Sequence, residues 1–478
     1  MSTTPQEVDE LVARPPIDTS LLESLSPDRL DHIYLYREFD PDQSYRYRLT
    51  IVDRPLLSST PLNHATAVFI IPAGREGEYM FGTRAGLQSV AESAGCARLL
   101  AVAFGRHYEF GCQEALQKEL TYVAQVISQQ GKFLPPAHYK RYHKSDAMST
   151  IPFMALDGVG SRNVLAEGET LLSGTYVVEQ VKVDNTLVRR LYFMENPFVI
   201  QSEVAMINES DIDKTHLAFD YHKTMMAGLL ALTARRTRGV VIGLGGGGLL
   251  NFLQATLPST HVTVVELDAS IVTVAEKYFG FVRNDQTTVR VGDGLSLIPS
   301  DEESKINDSI VLEPSSLDFI AMDVDSKDST VGMSCPPQAF VEVPYLIRLK
   351  SLLHPDGWLI MNVSARDPAM FELVKTNVQA VFGSIFCSDN DKESEDVNVV
   401  LFATSSDVTL APPTDRLDSM HKALEEFVNS AELPSSWQST VSDLEDCVGN
   451  IRVSNETTET TIKNKKKSGG KRKKGKRK

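Results

Sequence analysis

The sequence has few cysteines, no long apolar run and no N-terminal targeting pattern. Its five cysteines are scattered without a CxxC pair, which argues against a disulfide framework or a zinc site and favours a reducing compartment. No apolar run approaches the roughly 20 residues that span a bilayer. The opening MSTTPQEVDELVARPP lacks the basic and apolar segments of a secretory signal peptide. We therefore expect a cytoplasmic protein.

Acidic residues are missing from the last 18 residues, which hold 11 lysines and arginines. The rest of the chain carries 37 basic and 63 acidic residues, so the tail stands out from an acidic protein. Such a low-complexity segment cannot bury a hydrophobic core, and we predict that residues 456–478 are disordered. The tail is suited to nuclear import or to contact with RNA or ribosomes, and the alternative is a solubilising tail without a specific partner.

Only one strand end in the sequence is glycine-rich. In RRTRGVVIGLGGGGLLNFLQ (235–254), a short apolar strand pattern runs into Gly243, Gly245 and Gly248, which match G-x-G-x-x-G. Gly247 lies in the same loop, and a helix pattern follows. Glycines at such a place permit a tight turn and close approach of a ligand to the main chain at a helix N-terminus. The pattern therefore predicts a nucleotide-binding loop.

Strand and helix patterns alternate after this loop, and the strand runs are apolar throughout. This alternation predicts an α/β fold with a doubly wound parallel sheet between helices. Upstream, strand patterns and a hairpin at 175–203 predict a mixed α/β region, and further helices are predicted at 214–234 and 416–433. The predicted division of the chain is a flexible leader at 1–45, a mixed α/β accessory region at 46–195, the doubly wound domain at 196–410, a C-terminal helical extension at 411–455 and the basic tail.

Acidic residues follow neighbouring strand patterns of the predicted sheet, namely Glu266, Asp268, Asp293, Asp323 and Asp325. Since such folds bind ligands outside the carboxyl ends of their strands, these side chains should crowd one crevice. Asp268 precedes a helix pattern and fits an N-cap better than a ligand contact. The crevice would repel the pyrophosphate of NAD, whereas S-adenosylmethionine (SAM) has no phosphate and carries a sulfonium and an ammonium group. The acidic edge therefore favours SAM or its decarboxylated form as the cofactor.

Three motifs resemble the spermidine-synthase-like branch of class I methyltransferases between about residues 196 and 403. NPFVIQSE resembles the hairpin of that branch that ends in a ligand-facing glutamine, here Gln201. FDYHKTMMAGLL resembles its Tyr-His helix, here Tyr221 and His222, and MDVDSKD stands where the branch carries its catalytic aspartate motif. The resemblance implies a class I SAM-methyltransferase domain with a Rossmann-like sheet.

A longer resemblance, over roughly residues 45–455, is to the methyltransferase-like protein 13 family. It is carried by VVIGLGGGGLL, VVELD, GDG, MDVDSKDSTVGMSCPPQAFVE and LLHPDGWLIMNV. That family methylates eukaryotic translation elongation factor 1-alpha through two catalytic domains, of which the first modifies a lysine and the second the α-amine of the mature N-terminus. The single glycine-rich strand end matches the second domain. The resemblance therefore implies methylation of an N-terminal α-amine rather than of a lysine.

The candidate site residues take their roles from these patterns. Asp323 and Asp325 lie at i and i+2 and can face one side, so we predict that Asp323 holds the incoming amine and aids its deprotonation while Asp325 orients the amine or completes the acidic pocket. The alternative is that one of the two binds the ammonium group of SAM. The predicted cofactor-binding residues are Gly243, Gly245, Gly247, Glu266, Asp293, Gly294, Gln201 and His222. No metal site is predicted.

Two other functions fit the sequence less well. A polyamine aminopropyltransferase would use decarboxylated SAM and an acidic groove on the same fold, but the long accessory region and the DVDSKDSTVGMSCPP segment disfavour it. A non-catalytic scaffold would contact RNA or ribosomes through the basic tail. The intact glycine loop and the acidic residues argue against such a scaffold.

Overall fold

The structure is a computed structural model. It describes residues 11–14, 30–37, 45–54, 62–108, 110–128, 150–156, 162–233, 238–297, 312–326, 332–388, 398–404, 422 and 438–453. Contacts divide the chain into two units, Met1–Ile212 and Asp213–Lys478. Within the segments that the structure describes, no helix has both the length and the apolar character needed to cross a membrane.

The first unit contains two β-sheets. The strands of the larger sheet are β1 (Leu11–Arg14), β2 (Asp31–Arg37), β3 (Tyr47–Asp53), β4 (His64–Ile70), β5 (Cys96–Phe104) and β6 (Phe153–Ala155). They lie in the order β1-β2-β3-β5-β4-β6, and β4 pairs in parallel with β5 and β6 while the other pairs are antiparallel. The helices of this unit are α1 (Tyr79–Gly82), α2 (Arg84–Ser93) and α3 (Gln113–Ser128).

Strand β5 is the centre of the larger sheet, and all of its residues are buried. Its sequence, CARLLAVAF, is apolar except for Arg98 because helices cover both faces of the sheet. Helix α3 contributes Leu116 and Leu120 to the core on one face, and α2 contributes Leu87 to the core on the other. The mixed α/β character predicted for this region is confirmed.

Strands β1 and β2 lie inside the segment 1–45, where the sequence predicts a flexible leader. In β2, Ile33 and Leu35 alternate with polar residues, and Leu35 is completely buried in the same core as Leu49. The alternation gives β2 one apolar face, which becomes ordered by packing on its antiparallel partner β3. Strands β1 and β2 of the predicted leader therefore form one edge of the larger sheet.

The second sheet of this unit is antiparallel. Its strands are β7 (Arg162–Thr170), β8 (Gly174–Val183), β9 (Thr186–Phe193) and β10 (Ser202–Ala205), in the order β10-β9-β8-β7. The hairpin predicted at 175–203 is confirmed as β8 and β9. Its two-residue turn is Asp184 and Asn185, both with positive φ, as tight hairpins require.

The second unit contains one large sheet with helices on both faces. Its helices are α4 (Asp220–Thr233), α5 (Gly248–Thr256), α6 (Ala269–Tyr278), α7 (Gly294–Leu297), α8 (Val343–Leu352), α9 (Pro368–Phe382) and α10 (Gln438–Gly449), with a 3₁₀ turn at Gln338–Val341. Its strands are β11 (Arg238–Ile242), β12 (His261–Glu266), β13 (Thr287–Val291), β14 (Leu317–Met322), β15 (Met333–Cys335), β16 (Leu353–Ala365), β17 (Ser384–Ser388), β18 (Asn398–Thr404) and β19 (Ile451–Val453).

The strands of this sheet lie in the order β13-β12-β11-β14-β16-β18-β17-β19, and β15 pairs with β16. The first five are parallel, and β18 runs antiparallel to both of its neighbours. Strand order reverses between β11 and β14, which places a ligand crevice at their carboxyl ends. The predicted parallel sheet with helices on both faces is confirmed for these five strands, and the remaining strands add antiparallel pairs.

Two apolar cores fill the faces of this sheet. Met225 and Met226 of α4 are completely buried in one core, together with Trp358 of β16. Leu346 and Leu349 of α8 are buried in the other core. These residues therefore belong to the hydrophobic core, as their apolar sequence context indicates.

The predicted extents of some segments differ from the structure. The contact boundary lies between Ile212 and Asp213, whereas the sequence predicts that the doubly wound domain begins at 196. The difference arises because β10 pairs with β9 and so lies with the first unit. The helix predicted at 214–234 occupies Asp220–Thr233. The basic tail and, apart from Lys422, the helix predicted at 416–433 lie outside the described residues.

Candidate functional site

The glycine loop joins β11 to α5, as predicted. Gly243, Gly245 and Gly247 all have positive φ, of 96°, 52° and 80°. A Cβ atom on Gly243 would lie 2.0 Å from the carbonyl oxygen of Asp323, which follows β14. Only glycine fits this position, because any side chain would force the ends of β11 and β14 apart. The loop is therefore bare main chain at the reversal of strand order.

Glu266 ends β12 and holds the glycine loop. Its Oε2 accepts a hydrogen bond from the backbone N–H of Leu244 at 2.9 Å, and its Oε1 accepts one from the N–H of Asp268 at 3.0 Å. Burial raises the pKa of the Glu266 carboxyl, and the backbone donors, which include Gly245, oppose part of that rise. Each carboxylate oxygen has a second lone pair. The predicted contact of Glu266 with the cofactor stays a prediction, and its hydrogen bonds to the glycine loop are an additional role.

Asp268 and Asp293 both cap helices. The Oδ1 of Asp268 accepts from the N–H of Ser270 at the start of α6, as the sequence predicts. The Oδ1 of Asp293 accepts from the N–H of Leu295 at 2.9 Å, so the predicted cofactor ligand also begins the short helix α7. The Asp293 side chain is exposed. Its position after β13 leaves it available to a ligand at the carboxyl edge.

Gly294 is buried behind Asp293. A Cβ atom on Gly294 would lie 2.9 Å from Ile242 Cγ2 and 3.1 Å from Phe340 Cε1. Its carbonyl oxygen accepts a hydrogen bond from the hydroxyl of Tyr345 at 3.1 Å. Gly294 therefore brings α7 close to the end of β11, and its predicted contact with a cofactor stays a prediction.

Asp323 lies at the centre of a hydrogen-bonded group at the end of β14. Its Oδ2 is 2.8 Å from Nε2 of His222, which lies in the first turn of α4. Its Oδ1 accepts a hydrogen bond from Nδ2 of Asn362 in β16 at 2.9 Å. Its backbone N–H donates to the carbonyl of Ile242. Three elements far apart in the sequence thus fix one carboxylate beside the glycine loop.

The surroundings of Asp323 keep it ionised. Burial alone tends to raise the pKa of this carboxyl, but the hydrogen bond from His222, the charge of that imidazole when protonated and hydrogen bonds from Asn362 and Tyr221 outweigh burial. The pKa of Asp323 therefore lies below its ordinary value. His222, a predicted cofactor ligand, is placed on Asp323, and its ring lies 4.4 Å from the ring of Tyr221.

Asp325 is exposed, whereas the side chain of Asp323 is only 22% exposed. Burial raises the pKa of the Cys335 thiol, and the negative charges of Asp323 and Asp325 raise it further. Both carboxylates therefore lie near the same buried thiol. The structure brings the two predicted catalytic residues to one edge of the sheet, with Asp325 on the solvent side.

Asn362 is the residue of this group that the sequence patterns did not single out. It is 3% exposed, and its Oδ1 has no hydrogen-bond partner within the described part of the chain. The sequence feature that could have indicated Asn362 is a single amide side chain inside the apolar strand GWLIMNV. A buried amide in such a strand needs partners, and one of them is Asp323.

Gln201 lies in the first unit, just before β10. Its backbone N–H donates to the carbonyl of Leu191 at 2.9 Å, and the residue is half-buried. This bond fixes the loop that carries Gln201. The predicted cofactor contact of Gln201 stays a prediction.

The strand order of the second unit, its glycine loop and the acidic residues after its parallel strands define a class I methyltransferase domain. When β11, β12, β13, β14, β16, β17 and β18 are numbered 1 to 7 in chain order, the sheet has the strand order 3-2-1-4-5-7-6. Its seventh strand is antiparallel to its neighbours, as in that class. The predicted fold class is confirmed. No family model matches the chain.

Several relatives of the chain share the name of one methyltransferase, and a polyamine aminopropyltransferase of Vibrio vulnificus is 26% identical over 195 residues. The eEF1A lysine and N-terminal methyltransferase of Danio rerio is 34% identical over 403 residues, which cover 77% of this chain and 55% of the relative. The Homo sapiens protein of the same name is 34% identical over 394 residues, which cover 75% and 53%. The chain thus spans about half the length of the curated relatives it matches. The predicted resemblance to the methyltransferase-like protein 13 family is confirmed.

A solved structure of human methyltransferase-like protein 13 in complex with SAH is 32% identical to this chain. The match covers 46% of this chain and 98% of the human one, with a TM-score of 0.38. The names of the relatives agree with the cofactor class that the acidic edge predicts.

Proposed function

We propose that the second unit binds SAM and methylates a neutral amine of a protein, the N-terminal α-amine of eukaryotic translation elongation factor 1-alpha. The names of the relatives, which cover both lysine and N-terminal methylation of eEF1A, support the substrate protein. The observation that carries the choice of amine is the Asp323 carboxylate beside the glycine loop, which His222 and Asn362 hold by hydrogen bonds of 2.8 and 2.9 Å.

The residues around the glycine loop fit SAM. Gly243, Gly245 and Gly247 carry no side chains that would keep a ligand away from the main chain of the loop. Glu266 and Asp293 follow the next two strands, and their carboxylates suit hydroxyl and ammonium donors rather than a pyrophosphate. SAM supplies a methyl group that is activated by a sulfonium. Gly245, Gly247 and the two acids would hold it.

Asp323 is suited to orient an amine rather than to deprotonate it. A carboxylate whose pKa lies below its ordinary value is a weak base, but it accepts an N–H bond and stabilises the positive charge that develops on the nitrogen. The amine must therefore arrive neutral. At pH 7 roughly one α-amine in ten is neutral, given a pKa of about 7.7–8.0, against fewer than one lysine in about a thousand with a pKa near 10.4.

His222 and Asn362 position Asp323 in this proposal. Their hydrogen bonds, at 2.8 and 2.9 Å, hold one oxygen each and leave further lone pairs on the carboxylate for the substrate. Asp325, exposed and two residues further on, adds negative charge where the protonated or developing ammonium group approaches. Cytoplasmic location and contact of the basic tail with RNA or ribosomes stay predictions.

Methylation of a defined peptide tests the proposal. The full chain is incubated with labelled SAM and a peptide that has the mature N-terminus of the elongation factor and an internal lysine, and products are mapped by mass spectrometry. We expect label on the α-amine and none on an N-acetylated peptide of the same sequence. Label on the lysine would contradict the choice of amine, and no label on either would contradict the activity.

A matched incubation tests the aminopropyltransferase. The same chain is given decarboxylated SAM and putrescine under identical conditions. We expect no spermidine. Formation of spermidine at a rate comparable with peptide methylation would favour that alternative on the same fold.

A further inference from the structure

The first unit contains a cavity lined by arginines. Its volume is about 50 Å³, and it lies between the larger sheet, the antiparallel sheet and the loop after β9. On that measure a water molecule occupies roughly 10–15 Å³, so the cavity has room for about three to five waters. It can take a group of a few heavy atoms but not a nucleotide. The arginines that line it are Arg48, Arg106, Arg162 and Arg190.

Three of these four guanidinium groups are neutralised by buried or nearly buried carboxylates. The pairs are Arg106 with Glu179, Arg162 with Glu76 and Glu179, and Arg190 with Glu203. Glu78, which also lines the cavity, pairs with Arg75. Among the residues that the structure describes, each of these carboxylates pairs with an arginine, although Glu179 Oε1 itself accepts no hydrogen bond, and one positive charge is left over.

The unmatched charge belongs to Arg48 of β3. Arg48 is 4% exposed, and among the described residues its Nε has no hydrogen-bond partner. Its guanidinium lies over the ring of Phe198, with Cζ 3.9 Å from the ring centroid. Burial lowers the pKa of Arg48, although an arginine stays charged at neutral pH. A buried cation with an unused donor is costly unless an anion reaches it.

We propose that this cavity, here called the Arg48 cavity, binds a carboxylate group. The net positive charge of one matches a monoanion, whereas the neighbouring glutamates disfavour a phosphate dianion. A planar carboxylate matches the planar guanidinium. Phe198, Pro197 and Ile200 line the same cavity and suit a short alkyl group behind the carboxylate. Two sources present this chemistry, a small organic acid and the carboxylate of a peptide.

Calorimetry on the full chain tests the proposal. Sodium propanoate is titrated at constant ionic strength into the unaltered chain and into Arg48→Gln, with inorganic phosphate as the competing anion. We expect saturable binding of propanoate, weakened at least about tenfold in Arg48→Gln, because a hydrogen bond to a charged group is lost. We expect phosphate to bind more weakly than propanoate. Equal affinities in the two chains, or tighter binding of phosphate, would overturn the proposal.

Arg46→Gln is the matched control, since Arg46 lies two residues from Arg48 and pairs with Glu119 outside the cavity. We expect it to bind propanoate like the unaltered chain. Arg48→Gln removes an unpaired buried charge, so its melting temperature without ligand should equal or exceed that of the unaltered chain. A clear loss of thermal stability would show that Arg48 is structural. If Arg48→Gln does not fold, Arg48→Lys serves, because it keeps the charge without the planar group and should weaken binding.

A second titration separates the two sources of the carboxylate. A short peptide with a free C-terminal carboxylate is compared with its C-terminal amide and with propanoate. Binding of the acid but not the amide, at least as tight as propanoate, identifies a peptide ligand. Binding of propanoate alone identifies a small acid. Equal binding of the peptide acid and its amide would contradict a carboxylate site.

Discussion

Gly243→Ala tests how closely the glycine loop packs against the end of β14, which Asp323 follows. The Cβ atom that this change adds would lie 2.0 Å from the carbonyl oxygen of Asp323 and 3.6 Å from Val324 Cγ2. The backbone of residue 243 has a φ of 96°, which an alanine rarely adopts. Because the neighbouring atom belongs to the main chain directly after β14, relief of the clash requires that the ends of β11 and β14 separate.

The expected loss is roughly 2–5 kcal/mol of unfolding free energy. The left-handed backbone costs an alanine about 1–2 kcal/mol, and overpacking against rigid main chain costs typically 1–3 kcal/mol. Separation of the strands would also strain the hydrogen bond from the N–H of Asp323 to Ile242, which is 2.9 Å long. The same movement displaces the Asp323 carboxylate, so affinity for SAM should fall as well.

Tryptophan fluorescence during urea unfolding measures this loss in the second unit alone. Both tryptophans of the chain, Trp358 and Trp437, belong to residues 213–478. Gly332→Ala is the control, because Gly332 also has a positive φ, of 77°, but its nearest neighbour would be Asp367 Cβ at 3.2 Å. It should lose about 1–2 kcal/mol from the backbone strain. A Gly243→Ala loss no larger than that of the control would refute the close contact with β14.

Three further results are expected. Asn362→Leu should lower kcat for peptide methylation roughly 10–100-fold, with KM for SAM nearly unchanged, because Asp323 loses a donor. Glu266→Gln should lose about 1–3 kcal/mol in urea unfolding, because an amide NH₂ cannot accept from the loop N–H groups. The folded-state pKa of Asp323 lies below its ordinary 3.8, so its contribution is complete above that value and is lost as pH falls through the lowered one. The stability difference between the unaltered chain and Asp323→Asn should therefore shrink as the pH falls below about 4.

The fold of the second unit was predicted from local sequence patterns. Apolar strands that alternate with helices specify a parallel sheet with two covered faces, and the glycines mark its reversal of strand order. Asp268 was predictable as a cap because a cap depends on its immediate neighbours. The turn at Asp184 and Asn185 is equally local. For these features the sequence contains the whole cause.

Contacts between distant residues could not be read from the same patterns. His222 and Asp323 are 101 residues apart, and Asn362 is 39 residues from Asp323. Their meeting depends on which strands lie side by side. The sequence patterns therefore did not indicate that His222 and Asn362 both bond to Asp323. The predicted cofactor contact of His222 stays a prediction. The Arg48 cavity could not be read from the sequence for the same reason, since the charged residues that line it come from three strands and two loops.

Binding of SAM to the full chain tests the central claim most directly. Titration calorimetry compares SAM, decarboxylated SAM and NAD, each with the unaltered chain and with Gly243→Ala. We expect SAM to bind the unaltered chain, to bind the variant more weakly and to bind better than decarboxylated SAM, with no heat from NAD. Binding of NAD in preference to SAM, or equal binding of SAM to both chains, would contradict the account.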